Sequence, residues 1–184
     1  RSKRIKGFTH YSVSGTGFIA VFYNFCMVSF ITGKGLPKYE KILDEVASPG
    51  AYTVTTGEYT ASASISRDTA CYKVRFNKGK NNKVIINPAY GGLDLDHPKT
   101  RYALNLETAL DGKKMSTCSY YDEIELYAYA DLSAFECVYE AEEEGVKYIV
   151  AELPEGMADI EFRVSFSLTS AQKAEKYFNE SPQS

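Results

Sequence analysis

The 184-residue sequence has no tryptophan and only two histidines, His10 and His97. The first absence removes the side chain that flat sugar-binding platforms often use. The second confines imidazole chemistry to two positions. Four cysteines, Cys26, Cys71, Cys118 and Cys137, stand far apart without a C-x-x-C pair, so zinc-ribbon and dithiol redox spacings are absent. Two disulfides are open on count alone, but Cys26 and Cys71 fall inside apolar, strand-like runs, which favours free, buried thiols. Neither sign of charge dominates: 21 Lys and Arg against 24 Asp and Glu leave −3, which gives no reason to expect a nucleic-acid partner. No apolar run reaches the ~20 residues of a bilayer-spanning helix, so no membrane is expected. The basic start (Arg1, Lys3, Arg4, Lys6) has no apolar h-region behind it and is not a signal peptide. The chain opens on Arg1 and not Met, which suggests a processed product or a piece of something longer. There is no internal repeat and no low-complexity tract.

What is present is a globular composition, 44% hydrophobic and 24% charged, rich in strand-favouring Tyr (15) and Phe (10). The length suits one domain, 1–184, burying roughly 70% of its unfolded surface. Gly15–Ile31 organises the rest. After Gly17 it is apolar on both alternating faces, interrupted by Asn24 and Ser29. A strand of that kind needs layers on each side and a place in the middle of a sheet; a membrane span is the rival reading, and the run is too short for one.

Strand-period alternation governs most of the chain. Ala61, Ala63 and Ile65 oppose Thr60, Ser62, Ser64 and Ser66; Ala70, Tyr72, Val74 and Phe76 oppose Cys71, Lys73 and Arg75; Ile160 to Leu168 alternates most clearly. Pro49-Gly50 and Asp111-Gly112 mark turns, Glu140–Gly145 reads as an acidic turn, and Glu123–Val138 is long enough for one strand or two. At the end the period changes. Thr169 with Gln172 forms a capping-box pattern, and Ala171, Ala174 and Phe178 follow at helical spacing, so a short helix starts near Ser170. Nine or more strands and one terminal helix give an all-β, antiparallel β-sandwich (supersandwich-like) with a short C-terminal helix.

The constellations that could carry chemistry are thin. A triad of Ser12 or Ser14, His10 and Asp94 has no nucleophile elbow behind it. Asp94, Asp96 and His97 beside Gly91-Gly92 read as a solvated turn. The run Glu140, Glu142, Glu143, Glu144 lacks the ligand spacing of a calcium loop. Gly15-Thr16-Gly17 precedes a strand where a phosphate-binding loop would open a helix. The residues alone therefore indicate no catalytic group, no metal ligand and no cofactor in this chain.

Gly7-Phe8-Thr9-His10-Tyr11-Ser12-Val13-Ser14-Gly15-Thr16-Gly17 resembles a signature of glycoside hydrolase family 92, the calcium-dependent α-mannosidases, written Gly-Phe-Ser-His-Thr-His-Leu-Ser-Gly-Thr-Gly. Three further stretches follow in that family's order: Glu45–Val54, Tyr59–Phe76 with Arg67 and Phe76 in place, and Val164–Ala174. The signature's second histidine is Ser12 here, and the family's Tyr-Gly-Asp beyond it is Tyr23-Asn24-Phe25. The resemblance covers the family's N-terminal β-sandwich domain only. It implies a non-catalytic unit that packs on a C-terminal catalytic barrel, absent here, and lines part of an α-mannoside pocket. His10, Tyr11, Ser14 and Thr16 are the residues it would bring to that pocket. Calcium and the hydrolytic carboxylates would belong to the full-length enzyme's barrel, leaving this chain inactive by itself. It also implies a secreted, periplasmic or cell-surface location, and self-association through the docking face that a missing barrel would leave exposed. The alternative is a free-standing carbohydrate-binding or adhesion module using tyrosine-rich surfaces such as Tyr120-Tyr121.

Overall fold

A computed structural model of the chain describes residues 3–12, 24–91, 103, 105–121, 124–143 and 145–181. Among them are fifteen strands: β1 (Arg4–Ile5), β2 (Phe8–Ser12), β3 (Asn24–Thr32), β4 (Glu40–Lys41), β5 (Asp44–Ser48), β6 (Ala51–Thr55), β7 (Tyr59–Ser66), β8 (Thr69–Phe76), β9 (Asn82–Asn87), β10 (Asn105–Asp111), β11 (Lys114–Tyr121), β12 (Ile124–Asp131), β13 (Cys137–Glu143), β14 (Val146–Glu152) and β15 (Asp159–Ser167). One helix, α1 (Ala171–Glu180), follows them. An eight-stranded sheet runs β10-β11-β12-β15-β8-β7-β6-β5, a five-stranded sheet runs β13-β14-β9-β3-β2, and β1 pairs with β4. The pairings are antiparallel throughout the described residues. The all-β sandwich with a terminal helix is the fold.

The two large sheets enclose one core. Val28, Phe30, Val84, Ile86 and Ile149 enter it from the five-stranded layer, and Tyr72, Val74, Phe76, Leu126, Phe162 and Val164 from the eight-stranded one. Each large side chain so buried contributes roughly 1.5–3 kcal/mol. β3 is covered on both faces, as its composition requires. Val28 and Phe30 belong to the core, while Ile31 packs on a second cluster of Ile85, Tyr148 and Val150 together with Leu36. That second cover comes from the loop after β3, where Gly33 and Gly35 take φ of +89° and +100° and Pro37 is buried. β3 lies between β9 and the edge strand β2, not at the sheet's centre; the core on one face and the second cluster with its loop on the other suffice to cover it. The portion of the expected strand before Asn24 lies outside the described residues.

Glu123–Val138 resolves into β12 and β13, which belong to different sheets. The chain crosses between layers there, with Leu132 and Phe135 buried. Glu140, Glu142 and Glu143 form no turn; they lie on β13, and the turn falls at Gly145, whose φ is +75°. β13 is an edge strand, where exposed carboxylates discourage further strand addition. Ile65 does not face the core but is 59% exposed, because the last three residues of β7 are exposed on both faces. The last strand in sequence, β15, sits between β8 and β12 and joins the halves of the large sheet.

The helix begins one residue later than the Thr169/Gln172 pattern suggests. Ser170 is its N-cap, its Oγ accepting the Lys173 N–H at 3.1 Å. The Thr169 hydroxyl is engaged instead with Ser167 Oγ, 2.9 Å away. Ala174 and Phe178 bury α1 against Tyr129 on the outer face of the large sheet. The last turn carries no basic residue, and Arg163 of β15 supplies the missing charge. Its guanidinium donates to Ser181 O at 2.7 Å and Phe178 O at 3.2 Å, and lies 4.3 Å from the centroid of the Phe178 ring. A cation on these terminal carbonyls satisfies the helix dipole.

Candidate functional site

The signature begins at Gly7 and runs onto β2. Phe8 pairs with Val28 and Thr9 with Met27, but His10 pairs with Phe25, so Cys26 is an extra residue bulged from β3. Cys26 takes a φ of +54°, a left-handed conformation that a non-glycine residue keeps only when its surroundings hold it there. Two contacts do so: the Cys26 N–H donates to Tyr90 O at 2.9 Å, and Cys26 O accepts from His10 Nδ1 at 3.3 Å. The bulge turns both Phe25 and Cys26 inward, at 1% and 0% exposure.

His10 crosses the interior from one layer to the other. Its ring stacks on Phe166 of β15, centroids 4.7 Å apart at 23°, and it is hydrogen-bonded to the Tyr72 hydroxyl of β8. The tautomer follows from the partners. A carbonyl can only accept, so Nδ1 carries the proton, and Nε2 accepts from Tyr72. Burial lowers the imidazole pKa from 6.5 to about 4, opposed by the Cys26 carbonyl bond, so the ring is neutral at physiological pH. With both nitrogens engaged and 7% of its surface exposed, His10 has no free nitrogen for a triad. It fixes the base of the signature segment. The Tyr11 side chain, Ser14, Thr16 and Asp94 lie outside the described residues, as do Asp96 and His97.

Phe76 is in the core at 2% exposure. Arg67 is at the apex of the β7–β8 hairpin with φ +51°, its exposed guanidinium 3.3 Å from the Asp68 carboxylate. Pro49-Gly50 closes the β5–β6 hairpin, Gly50 taking φ +76°. Of the Tyr120-Tyr121 pair, Tyr121 is committed inward, its hydroxyl donating to Pro88 O and, at 2.9 Å, to Tyr90 O. The cysteines are free; Cys26, Cys71 and Cys118 are buried, whereas Cys137 is exposed at the start of β13. Burial raises the Cys26 thiol far above its ordinary pKa, which makes it inert.

The outer face of the large sheet carries a shallow depression of about 480 Å³ lined by Thr60, Ser62, Lys73, Arg75, Asp159 and Glu161. Lys73 pairs with Glu161 at 3.3 Å and Arg75 with Asp159 at 2.6 Å, so its charges are mutually satisfied. A smaller cavity, about 130 Å³, lies on the outer face of the five-stranded sheet. Among the described residues no group of three or more His, Cys, Asp or Glu side chains could hold a metal ion.

No family model and no curated protein matches the sequence. Solved structures are similar in fold. An inverting GH92 mannosidase of Bacteroides thetaiotaomicron superposes with a TM-score of 0.65 at 16% identity. A GH92 α-mannosidase of the same organism, solved in complex with mannoimidazole, gives 0.68 at 13%. The GH92 glycosyl hydrolase ccman5 gives 0.67 at 14%. This chain has the fold of one part of those enzymes. In each case the match covers 96% of this chain but only 26–27% of the other, so the chain spans about a quarter of the length of the mannosidases it resembles.

Proposed function

We propose that this chain is the non-catalytic N-terminal sandwich unit of an α-mannosidase-type glycoside hydrolase. In this reading it packs on a catalytic barrel and lines part of the mannoside pocket. The observation that carries it is the asymmetric match: 96% of this chain against 26% of an inverting mannosidase, in a chain that also carries the Gly7–Gly17 stretch resembling the family signature. The buried His10 anchors β2 from beneath, and Tyr11, Ser14 and Thr16 are the residues proposed to reach the sugar. Calcium and the hydrolytic carboxylate pair are assigned to the barrel. A secreted, periplasmic or cell-surface location accompanies this role.

The test is direct. The isolated chain incubated with an aryl α-mannoside and calcium should release no mannose, and the reading frame beyond Ser184 should encode a helical barrel. Turnover at an enzyme-like rate, or a frame without the barrel, overturns the assignment.

A further inference from the structure

The cavity of about 130 Å³ on the outer face of the five-stranded sheet serves neither the core nor the mannosidase reading. It lies among β3, β9 and β14, beside Leu36 and Pro37 of the loop that follows β3. Ser29 and Asn87 both line it, and their side-chain oxygens, Ser29 Oγ and Asn87 Oδ1, are buried without a hydrogen-bond partner among the described residues. Ser29 is 1% exposed. Each such orphaned atom is unfavourable to the fold. A wall shaped for stability alone would place apolar groups at both positions.

The rest of the lining adds opposite charges and a hydroxyl. Lys6 and Glu143 both border the cavity, and the Tyr148 hydroxyl donates to Glu143 at 3.4 Å. Met27, Ile85 and Val146 supply apolar wall. We propose that this cavity binds a small neutral polyol or one hydroxylated edge of a hexose ring. The volume holds a few waters and therefore a group of that size. Asn87 Oδ1 and Glu143 can only accept, Lys6 can only donate, and Ser29 does both. A set of neighbouring hydroxyls answers all four, since each hydroxyl donates and accepts. Lys6 and Glu143 cancel in charge, which removes the pull for an ion, and the apolar wall suits the C–H face of a pyranose. The site stands independently of any barrel; only the choice of mannose as probe leans on the mannosidase reading.

An ¹H–¹⁵N NMR titration of the 184-residue chain with methyl α-mannoside and with glycerol tests this, with alanine as a zwitterionic control. Saturable shifts at the backbone amides of Ser29, Ile85, Asn87 and Tyr148, with a Kd in the millimolar range, are expected for at least one polyol. Ser29→Ala and, separately, Asn87→Leu should each weaken binding by about fivefold or more. Ser29→Ala removes an orphaned polar atom and should fold even if Asn87→Leu does not. Absence of saturable shifts at these amides overturns the proposal and leaves a water-filled cavity. Binding of alanine in preference to both polyols overturns it as well. Mannoside turnover plays no part in the readout, so loss of the mannosidase assignment would leave this result unchanged.

Discussion

His10 of β2 and Tyr72 of β8 are hydrogen-bonded across the interior of the sandwich, the imidazole accepting at Nε2. The link makes stability depend on pH. The folded pKa of His10, about 4, lies below the 6.5 of the unfolded chain, so the unfolded state takes up a proton first as pH falls. Stability from this group is complete above about pH 6.5 and declines between 6.5 and 4, by up to about 3 kcal/mol. Urea unfolding at pH 7 and pH 4.5 should show the decline. His10→Gln should be less stable at pH 7 by about 1–3 kcal/mol and should lose this part of the slope; equal slopes in the two proteins would sink the idea.

Tyr72→Phe probes the other end of the same bond. It leaves Nε2 buried and unpaired, so a loss of about 1–3 kcal/mol is expected at pH 7, measured by thermal unfolding.

Gly7, the first residue of the signature, lies against β3. A Cβ there would meet Ser29 Oγ and stand 2.6 Å from the Val28 carbonyl. Backbone does not yield as a side chain does, so Gly7→Ala should cost about 1–3 kcal/mol. Ser29→Ala in the same chain should restore only part of it. Full restoration would show that the carbonyl contact carries no weight.

Two residues hold α1 at its ends. Ser170→Ala should cost about 1 kcal/mol. Arg163→Leu should accelerate amide exchange in the last turn, around Tyr177 and Ser181, while leaving Lys173 protected. Uniform exchange along the helix would instead mean that it detaches as a unit.

Thiol labelling of the native chain should be uneven. Cys137 is exposed, whereas Cys26, Cys71 and Cys118 are buried, and desolvation raises the pKa of all three buried thiols. One equivalent should react quickly with a disulfide reagent and the rest only on unfolding. Rapid reaction of Cys26 would contradict the bulge geometry.

Self-association, if the chain lacks its barrel, should run through the β5 edge. Leu43 and Val46 are each 61% exposed there. Light scattering should show association that Val46→Lys reduces; a strictly monomeric parent chain would count against an uncovered docking face.

The strand alternation was legible because burial follows it. Ala61, Tyr72, Val74, Phe76, Ile160 and Phe162 all face the core. The helix was legible from Ala174 and Phe178. The charge of Glu140 to Glu143 suits a turn, but an edge strand tolerates the same residues, and edge position is a property of the whole sheet. Ser170 and Thr169 are both good caps; the Thr169 hydroxyl is engaged with Ser167 Oγ, which leaves Ser170 Oγ to accept from the helix. The depth of His10 was hidden for a similar reason. Its burial depends on Cys26, Tyr72 and Phe166, which are distant in sequence, and on a bulge that the alternating pattern of β3 does not announce.

The seat of β15 bears on how the chain is made. The closing strand of the chain is the keystone of the large sheet, so a nascent chain emerging from the ribosome holds β5–β8 and β10–β12 as separate blocks with bare edges at β8 and β12. Those edges stay open to wrong partners until residues past Ser167 are synthesised. Translational pausing or truncation before Asp159 is therefore expected to yield aggregates and not a smaller stable sandwich.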